Sequence, residues 1–260
     1  MATTSTPLTF GTTEEGNPIV TLAQQQDVFV LTMQAEPDNR FNASFVSAVN
    51  AALDHVEAYA LPAQGKPRKC ALVTASSSEK FYSNGLDVMW LFQTGDKYFI
   101  SDQYLVLLKR VLTFPVITVA AIAGHCFAGG LLFALCHDYR IVRADRGLMS
   151  LNEIDLPSSL HPGMAAIARA KLPPTTLHPL VFGPKRYGGA DAVAAGLADA
   201  AVPGEKVLAT AHEWATKGAA KVARAGTIVA DLKASCYPDV VDALGIRAEI
   251  DVREFMKPHM

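Results

Sequence analysis

Two short stretches put glycine where a strand meets a helix. They are Phe81-Tyr82-Ser83-Asn84-Gly85-Leu86-Asp87, and Gly124-His125-Cys126-Phe127-Ala128-Gly129-Gly130 with an apolar run behind it. Neither carries an evident nucleophile, so their chemistry lies in the main chain. A helix start leaves N–H groups without intrahelical partners, and the helix dipole makes them receptive to negative charge. Two such turns facing each other would each give one amide to a single oxygen, forming an oxyanion hole. The second turn is not G-x-G-x-x-G and lacks the Lys and Ser/Thr of a Walker loop, which weakens a phosphate reading. The plainer alternative is that Gly129 and Gly130 only permit close packing of strand and helix.

Carboxylates follow in Ser150-Leu151-Asn152-Glu153-Ile154-Asp155-Leu156-Pro157, where Glu153 and Asp155 would share a face of an extended segment. Either is also compatible with a solvated turn. His125 suggests a triad, but no Gly-x-Ser-x-Gly elbow accompanies it, and a packed or loop-bonding histidine is the better reading. His137, before Asp138, closes a helical run, where a histidine suits the dipole without any catalytic role. Asp87 reads as a helix-start residue, and Ser83 and Asn84 as residues that shape the loop.

The elements that must position these groups are legible from periodicity. Asp27 to Met33 alternates and is β-branched, a strand that pairs with Pro18 to Leu22. Phe45, Val46, Val49, Leu53 and Val56 recur at helical spacing over 42–60, with Asn42 or Ser44 as cap. Cys70 to Ala75 is a buried strand, followed by helical stretches over 86–92 and 99–111. No charged residue occurs between Arg110 and Asp138, a length that passes a membrane filter. Pro115, the glycines and a change from β-branched residues at 116–123 to Ala, Leu and Phe at 128–136 divide it instead into strand, turn and helix. Tyr139 to Ala144 is a further strand, and from Pro162 the pattern is nearly all helical. The expected fold class is one α/β unit with a helical C-terminal portion, divided as a core over 1–200 and a helical part over 201–260.

Composition narrows the partners. The chain has 260 residues, half of them hydrophobic, 18% charged, with a formal net charge of −2. That excludes the broad basic footprint nucleic-acid binding needs. Cys70, Cys126, Cys136 and Cys236 form no C-x-x-C pair, so neither a zinc ribbon nor a disulfide framework is expected, and a reducing compartment is. The first ten residues lack the features of a secretory signal or a mitochondrial presequence. Pro258-His259-Met260 is a degenerate form of a peroxisomal tripeptide, so the expected compartment is peroxisomal or cytoplasmic.

FYSNGLD, AGHCFAGGLLFALCHDYRIV and DRGLMSLNEIDLP, taken in order with Asn39-Arg40-Phe41-Asn42 and the helix exit at 190–199, resemble the crotonase (enoyl-CoA hydratase/isomerase) superfamily. Within it the nearest resemblance is to delta-3, delta-2-enoyl-CoA isomerases of plant and fungal type. The resemblance spans about residues 27–200 and implies a repeated ββα superhelix. It implies that the amides of Leu86 and Gly129 hold a thioester oxygen, with Gly85 and Gly130 shaping their turns and Ser83 and Asn84 lining the first. Hydratases of the superfamily use two carboxylates. The first of those positions is Leu132 here and the second matches Glu153, with Asp155 a secondary candidate.

One carboxylate suffices to move a proton between two carbons. The implied activity is therefore the shift of a 3-enoyl-CoA to a trans-2-enoyl-CoA, with Glu153 as base and apolar neighbours such as Leu132, Phe133 and Leu156 raising its pKa. Coenzyme A would enter only as part of the substrate, without metal or redox cofactor. Its phosphates imply basic contacts, for which Lys80 is the first candidate, then Lys66, Arg68, Lys69 and, from the last helix, Lys257. His161 lies in a segment that departs from the family's pattern and is left with an accessory polar role near the acyl chain. Relatives assemble as trimers or dimers of trimers, and Val241, Leu244, Ile250 and Phe255 suit either assembly or packing on the chain's own body. A hydratase, a thioesterase, a dienoyl-CoA isomerase or a non-catalytic acyl-CoA-binding or assembly subunit would use the same turns.

Overall fold

The computed structural model describes residues 5–151, 159–183 and 185–256. Glu153, Asp155, Leu156 and Lys257 therefore lie outside the described residues, as does the side chain of Phe255.

A seven-stranded sheet runs through the molecule in the order β1 (Leu8–Thr12), β2 (Pro18–Gln25), β3 (Val28–Met33), β4 (Ala71–Ser76), β6 (Ile117–Ile122), β8 (Tyr139–Arg143) and β10 (Ala200–Val202). The first three pair antiparallel, Val20 opposite Met33, and the rest are parallel. The central parallel strands are buried on both faces, which is why 71–76 and 117–122 read as mostly apolar runs, interrupted by Thr74, Ser76 and Thr118. A smaller parallel sheet joins β5 (Phe81–Ser83), β7 (His125–Phe127) and β9 (Met149–Ser150).

The repeat expected from the resemblance is visible in this arrangement: a long strand in the large sheet, a short strand in the small one, then a helix. Thus β4 and β5 lead to α2 (Val88–Thr94), and β6 and β7 lead to α4 (Gly129–Leu135). The charge-free run between Arg110 and Asp138 divides as strand, turn and helix, and among the described residues no helix is long and apolar enough to cross a membrane.

Helix α1 (Ala43–Ala60) lays Phe45, Val49, Leu53 and Val56 into the core, and Asn42 caps it by accepting the Phe45 N–H at 3.0 Å. The stretch at 99–111 is helical as expected but opens with a π turn, Ile100–Tyr104, before α3 (Leu105–Leu112). Beyond residue 160 come α5 (Pro162–Lys171), α6 (Pro174–Val181) and α7 (Gly189–Ala194). The all-helical expectation after Pro162 misses β10, a three-residue strand too short to show a period, which extends the large sheet beside β8.

Helix α8 (Val207–Ala225) covers one face of the large sheet, placing Ala211, Ala215 and Ala219 against Val73, Val119 and Ile141. Its small residues permit close approach: a Cβ on Gly218 would lie 2.8 Å from Ile117. Helix α9 (Ile228–Cys236) is anchored by Lys233, whose buried ammonium reaches the Val116 carbonyl (2.7 Å) and Asp138 (2.6 Å). Of the apolar residues expected to serve assembly or self-packing, Leu244, which follows α10 (Pro238–Ala243), is buried, and Val241 and Ile250 pack partly against the chain's own core. Exposed large apolar side chains include Ile228 and Leu232 on α9, 55% and 60% accessible, and Phe182. The last helix described is α11 (Val252–Met256).

Candidate active site

Because β5, β7 and β9 are parallel, the turns that follow β5 and β7 meet at one edge of the small sheet. The first turn is clamped by Phe41, whose N–H donates to Gly85 O (2.8 Å) and whose carbonyl accepts the Asp87 N–H (3.0 Å). In a trans peptide the carbonyl and the following N–H point in opposite directions. With the Gly85 carbonyl tied to Phe41, the Leu86 N–H is aimed away from it.

The second turn obeys the same logic. The Ala128 carbonyl accepts from Leu131 (3.0 Å) and Leu132 (3.1 Å) in the first turn of α4, so the Gly129 N–H points back out of the helix start. Among the described residues no acceptor takes the Leu86 or the Gly129 N–H. The two amides converge: a Cβ on Gly85 would lie 3.0 Å from the Gly129 nitrogen, and a Cβ on Gly129 would lie 3.4 Å from the Leu86 nitrogen. Gly85 also has φ +89°, a conformation that side chains disfavour.

Ala128 takes φ +47°, ψ −124° without being glycine. Its N–H is fixed to the Ser150 carbonyl at 2.9 Å, and its own carbonyl to α4. A non-glycine residue held there stores about 1–3 kcal/mol, kept in place by these bonds. Gly130 is required by proximity, since a Cβ there would sit 2.6 Å from the Ser83 carbonyl oxygen and 2.7 Å from its Oγ.

The polar side chains of the first turn are engaged within it. Ser83 is buried, and its hydroxyl donates to Asn39 O at 2.7 Å and accepts the Gly85 N–H at 3.2 Å. The Asn84 side-chain amide donates to Asp38 at 2.7 Å, and Asp38 also pairs with Arg40 at 2.9 Å. Asn39 holds φ +52° and donates to Ser76 and the Tyr82 carbonyl. Asp87 caps α2 through the Trp90 N–H and accepts from Asn42, the helix-start role expected of it.

Leu132 and Phe133 are wholly buried. Tyr104, at the end of the π turn, is buried too, and its hydroxyl donates to the Gly129 carbonyl at 2.6 Å. Its place in an apolar helical stretch carried no sequence signal of this contact. Nor did Phe41, whose role is played by its backbone.

Other expected residues lie elsewhere. Lys80 precedes β5, at the opposite edge of the small sheet from Leu86. There it lines a cavity of about 790 Å³ with Glu79, His125, Arg146, Arg186 and Asp191. His125 accepts the Leu148 N–H through Nδ1 at 3.2 Å and stacks on Phe127, a loop-bonding histidine as expected. Burial holds its pKa down, helped by the positive charges of Lys80 and Arg186. Arg68 stacks over the Tyr59 ring.

His161 caps α5 by accepting the Gly163 N–H through Nδ1 at 3.0 Å. It is buried, its pKa is lowered by that burial, and its Nε2 has no hydrogen-bond partner among the described residues. His137 differs from the expectation of a histidine suited to the helix dipole. It is fully buried, its pKa is pushed down to about 4 by desolvation, and it bonds Thr74 (2.9 Å) and the Phe133 carbonyl (2.9 Å) as a neutral ring. Burial likewise pushes the Cys126 thiol well up, which removes it as a thiolate nucleophile. Among the described residues no three His, Cys, Asp or Glu side chains gather where they could hold a metal ion.

The family model described as enoyl-CoA hydratase/isomerase matches residues 23–259. Among curated proteins, the chain is 28% identical to enoyl-CoA delta isomerase 2, peroxisomal, of Arabidopsis thaliana, over 88% of this chain and 97% of that protein. It is equally similar to enoyl-CoA delta isomerase 3 of that plant, covering 96% of it. Among solved structures, an enoyl-CoA isomerase of Mtb aligns with TM-score 0.77 at 22% identity, over 87% of this chain and 94% of that one. An enoyl-CoA hydratase from Mycobacterium ulcerans aligns with the same TM-score at 20% identity, over 93% and 100%. Isomerase and hydratase thus share this backbone, and fold alone does not separate the two reactions.

Proposed function

The chain belongs to the enoyl-CoA hydratase/isomerase family, and within it we propose that it moves the double bond of a 3-enoyl-CoA to the trans-2 position. The observation that carries this reading is the closeness of the Leu86 and Gly129 nitrogens, neither of whose N–H groups has an acceptor among the described residues. A thioester oxygen bound there gains charge as the C2 proton leaves, so both donors strengthen as the dienolate forms. Glu153 takes the proton from C2, the C2–H electrons pass into the dienolate and return to form C2=C3, and the C3=C4 pair takes up the same proton at C4. Nothing is gained or lost overall, so a single carboxylate is enough. The chain runs through Ser150, bonded to Ala128, three residues before Glu153 in sequence.

Hydration needs a second carboxylate to activate water. The matching position is Leu132, buried in the apolar core, which supports isomerisation over hydration. The names of the Arabidopsis relatives support the same choice. Coenzyme A enters only as the handle of the thioester. The peroxisomal designation of enoyl-CoA delta isomerase 2 of Arabidopsis supports a peroxisomal setting. A homo-oligomer, a trimer or a dimer of trimers as the resemblance implies, would cover apolar surface such as Ile228 and Leu232.

The test is turnover of 3-hexenoyl-CoA, followed by the ultraviolet absorbance of the conjugated product, with hydration of 2-hexenoyl-CoA measured beside it. Fast isomerisation with slow hydration is expected, and Glu153→Gln should lower the isomerisation kcat by about 10²–10⁴ with butyryl-CoA binding retained. Dominant hydration would establish a hydratase. Binding without turnover would establish an acyl-CoA-binding subunit.

A further inference from the structure

We infer that Tyr104 is a positioning residue for the oxyanion hole, setting the spacing of its two amides; this rests on the reading of Leu86 and Gly129 given above. Tyr104 touches the second turn and the residue that clamps the first. Its hydroxyl donates to the Gly129 carbonyl at 2.6 Å, within a fully buried setting where a hydrogen bond is strong and directional. Its ring packs against Phe41, tilted by 53° with centroids 5.2 Å apart, and Phe41 is the residue whose N–H and carbonyl bracket Leu86. One rigid side chain thereby spans from the backbone of one donor turn to the clamp of the other.

The approach is close. A Cβ on Gly129 would stand 2.9 Å from the Tyr104 hydroxyl oxygen, so glycine at 129 is what lets the hydroxyl reach the main chain. Phe41 is in turn wedged against Phe45 and Phe133, at centroid distances of 5.0 and 5.2 Å, which prevents the clamp from yielding. The π turn at Ile100–Tyr104 brings Tyr104 to this position, and such turns recur at functional sites. That segment is itself strapped from outside: Asp102 pairs with Arg247 at 2.8 Å, and the Ser101 hydroxyl donates to the Ala248 carbonyl at 3.2 Å.

A group that positions donors acts most as charge develops on the oxygen, so its loss should lower kcat and leave KM nearly unchanged. Tyr104→Phe removes the hydroxyl and keeps the ring. The expected result is a roughly tenfold lower kcat, smaller than the ~10²–10³ cost of deleting a donor outright. KM and butyryl-CoA affinity should stay within about twofold. Acetoacetyl-CoA gives a second readout, because an oxyanion hole raises its bound enolate fraction, seen by ultraviolet absorbance. That fraction should fall in the variant by a factor similar to that in kcat.

If wild type develops no enolate absorbance and no isomerase turnover, the oxyanion reading fails and takes this inference with it. If wild type shows both and Tyr104→Phe matches it in kcat and enolate fraction, only the role of Tyr104 is overturned. A variant that loses thermal stability at unchanged kcat overturns it equally.

Discussion

The amide nitrogen of Leu86 stands 3.4 Å from the point a Cβ on Gly129 would occupy. Two segments distant in sequence thus bring main-chain donors to one small volume, and a single methyl group would intrude on it. Gly129→Ala should lower kcat/KM by about a hundredfold or more, the scale of losing an oxyanion donor. The same Cβ would press on the buried Tyr104 hydroxyl, 2.9 Å away, so a lower melting temperature is expected beside the kinetic loss. Steady-state kinetics beside a thermal melt checks this, and activity within a few-fold of wild type would remove Gly129 from the site.

At Gly130 the larger effect falls on the fold. Its missing Cβ would strike the buried Ser83, whose hydroxyl holds Asn39 and Gly85 in the first turn. Gly130→Ala should destabilise the fold by about 2 kcal/mol through overpacking, read as a lower urea midpoint. Activity should fall as well, because the Leu86 turn shifts with Ser83.

The pair of buried Lys233 and partly buried Asp138 ties α9 to the start of β8. Lys233→Ala leaves Asp138 with Thr118 alone as a side-chain partner, and because Asp138 is only partly buried the loss should stay below the full cost of breaking a buried pair, at about 2–3 kcal/mol. The expected outcome is a large fall in unfolding free energy in denaturant titration, with kcat per folded molecule unchanged. A loss below 1 kcal/mol would show that the carboxylate is satisfied by water and Thr118.

His137 predicts a pH dependence of stability. Its folded pKa is depressed to about 4 by burial, against an unfolded value near 6.5. Between these values the unfolded chain binds the proton and the folded one does not, so stability rises with pH across that window. Taking pH from 7 down to 4 should cost up to about 3 kcal/mol from this group. Denaturant titrations of wild type and His137→Gln across that range check it: the variant should be less stable at pH 7 and have a flatter slope. Equal slopes would reject the assignment.

Much of this architecture was readable from local pattern. The buried strands at 71–76 and 117–122, helix α1 with its Asn42 cap, and both glycine turns at strand-to-helix junctions are short-range features, governed by period and main-chain freedom. The same holds for His125, whose missing nucleophile elbow already argued against a triad. The resemblance to the crotonase superfamily rested on those motifs in order, and the family match over residues 23–259 bears it out.

What only the tertiary structure decided comes from contacts between segments far apart in the chain. Strands β5, β7 and β9 are two or three residues long, too short for any period to reveal, and they exist because the larger sheet brings them together. Their parallel pairing sends Leu86 and Gly129 to one edge and Lys80 to the other. Tyr104 meets Gly129 across 25 residues, and His137 is neutral because Tyr82, Thr74 and Phe133 close around it. Amide direction, burial and protonation depend on which groups surround a residue in space. The local sequence specified the turns, and the packing of the whole chain aimed them.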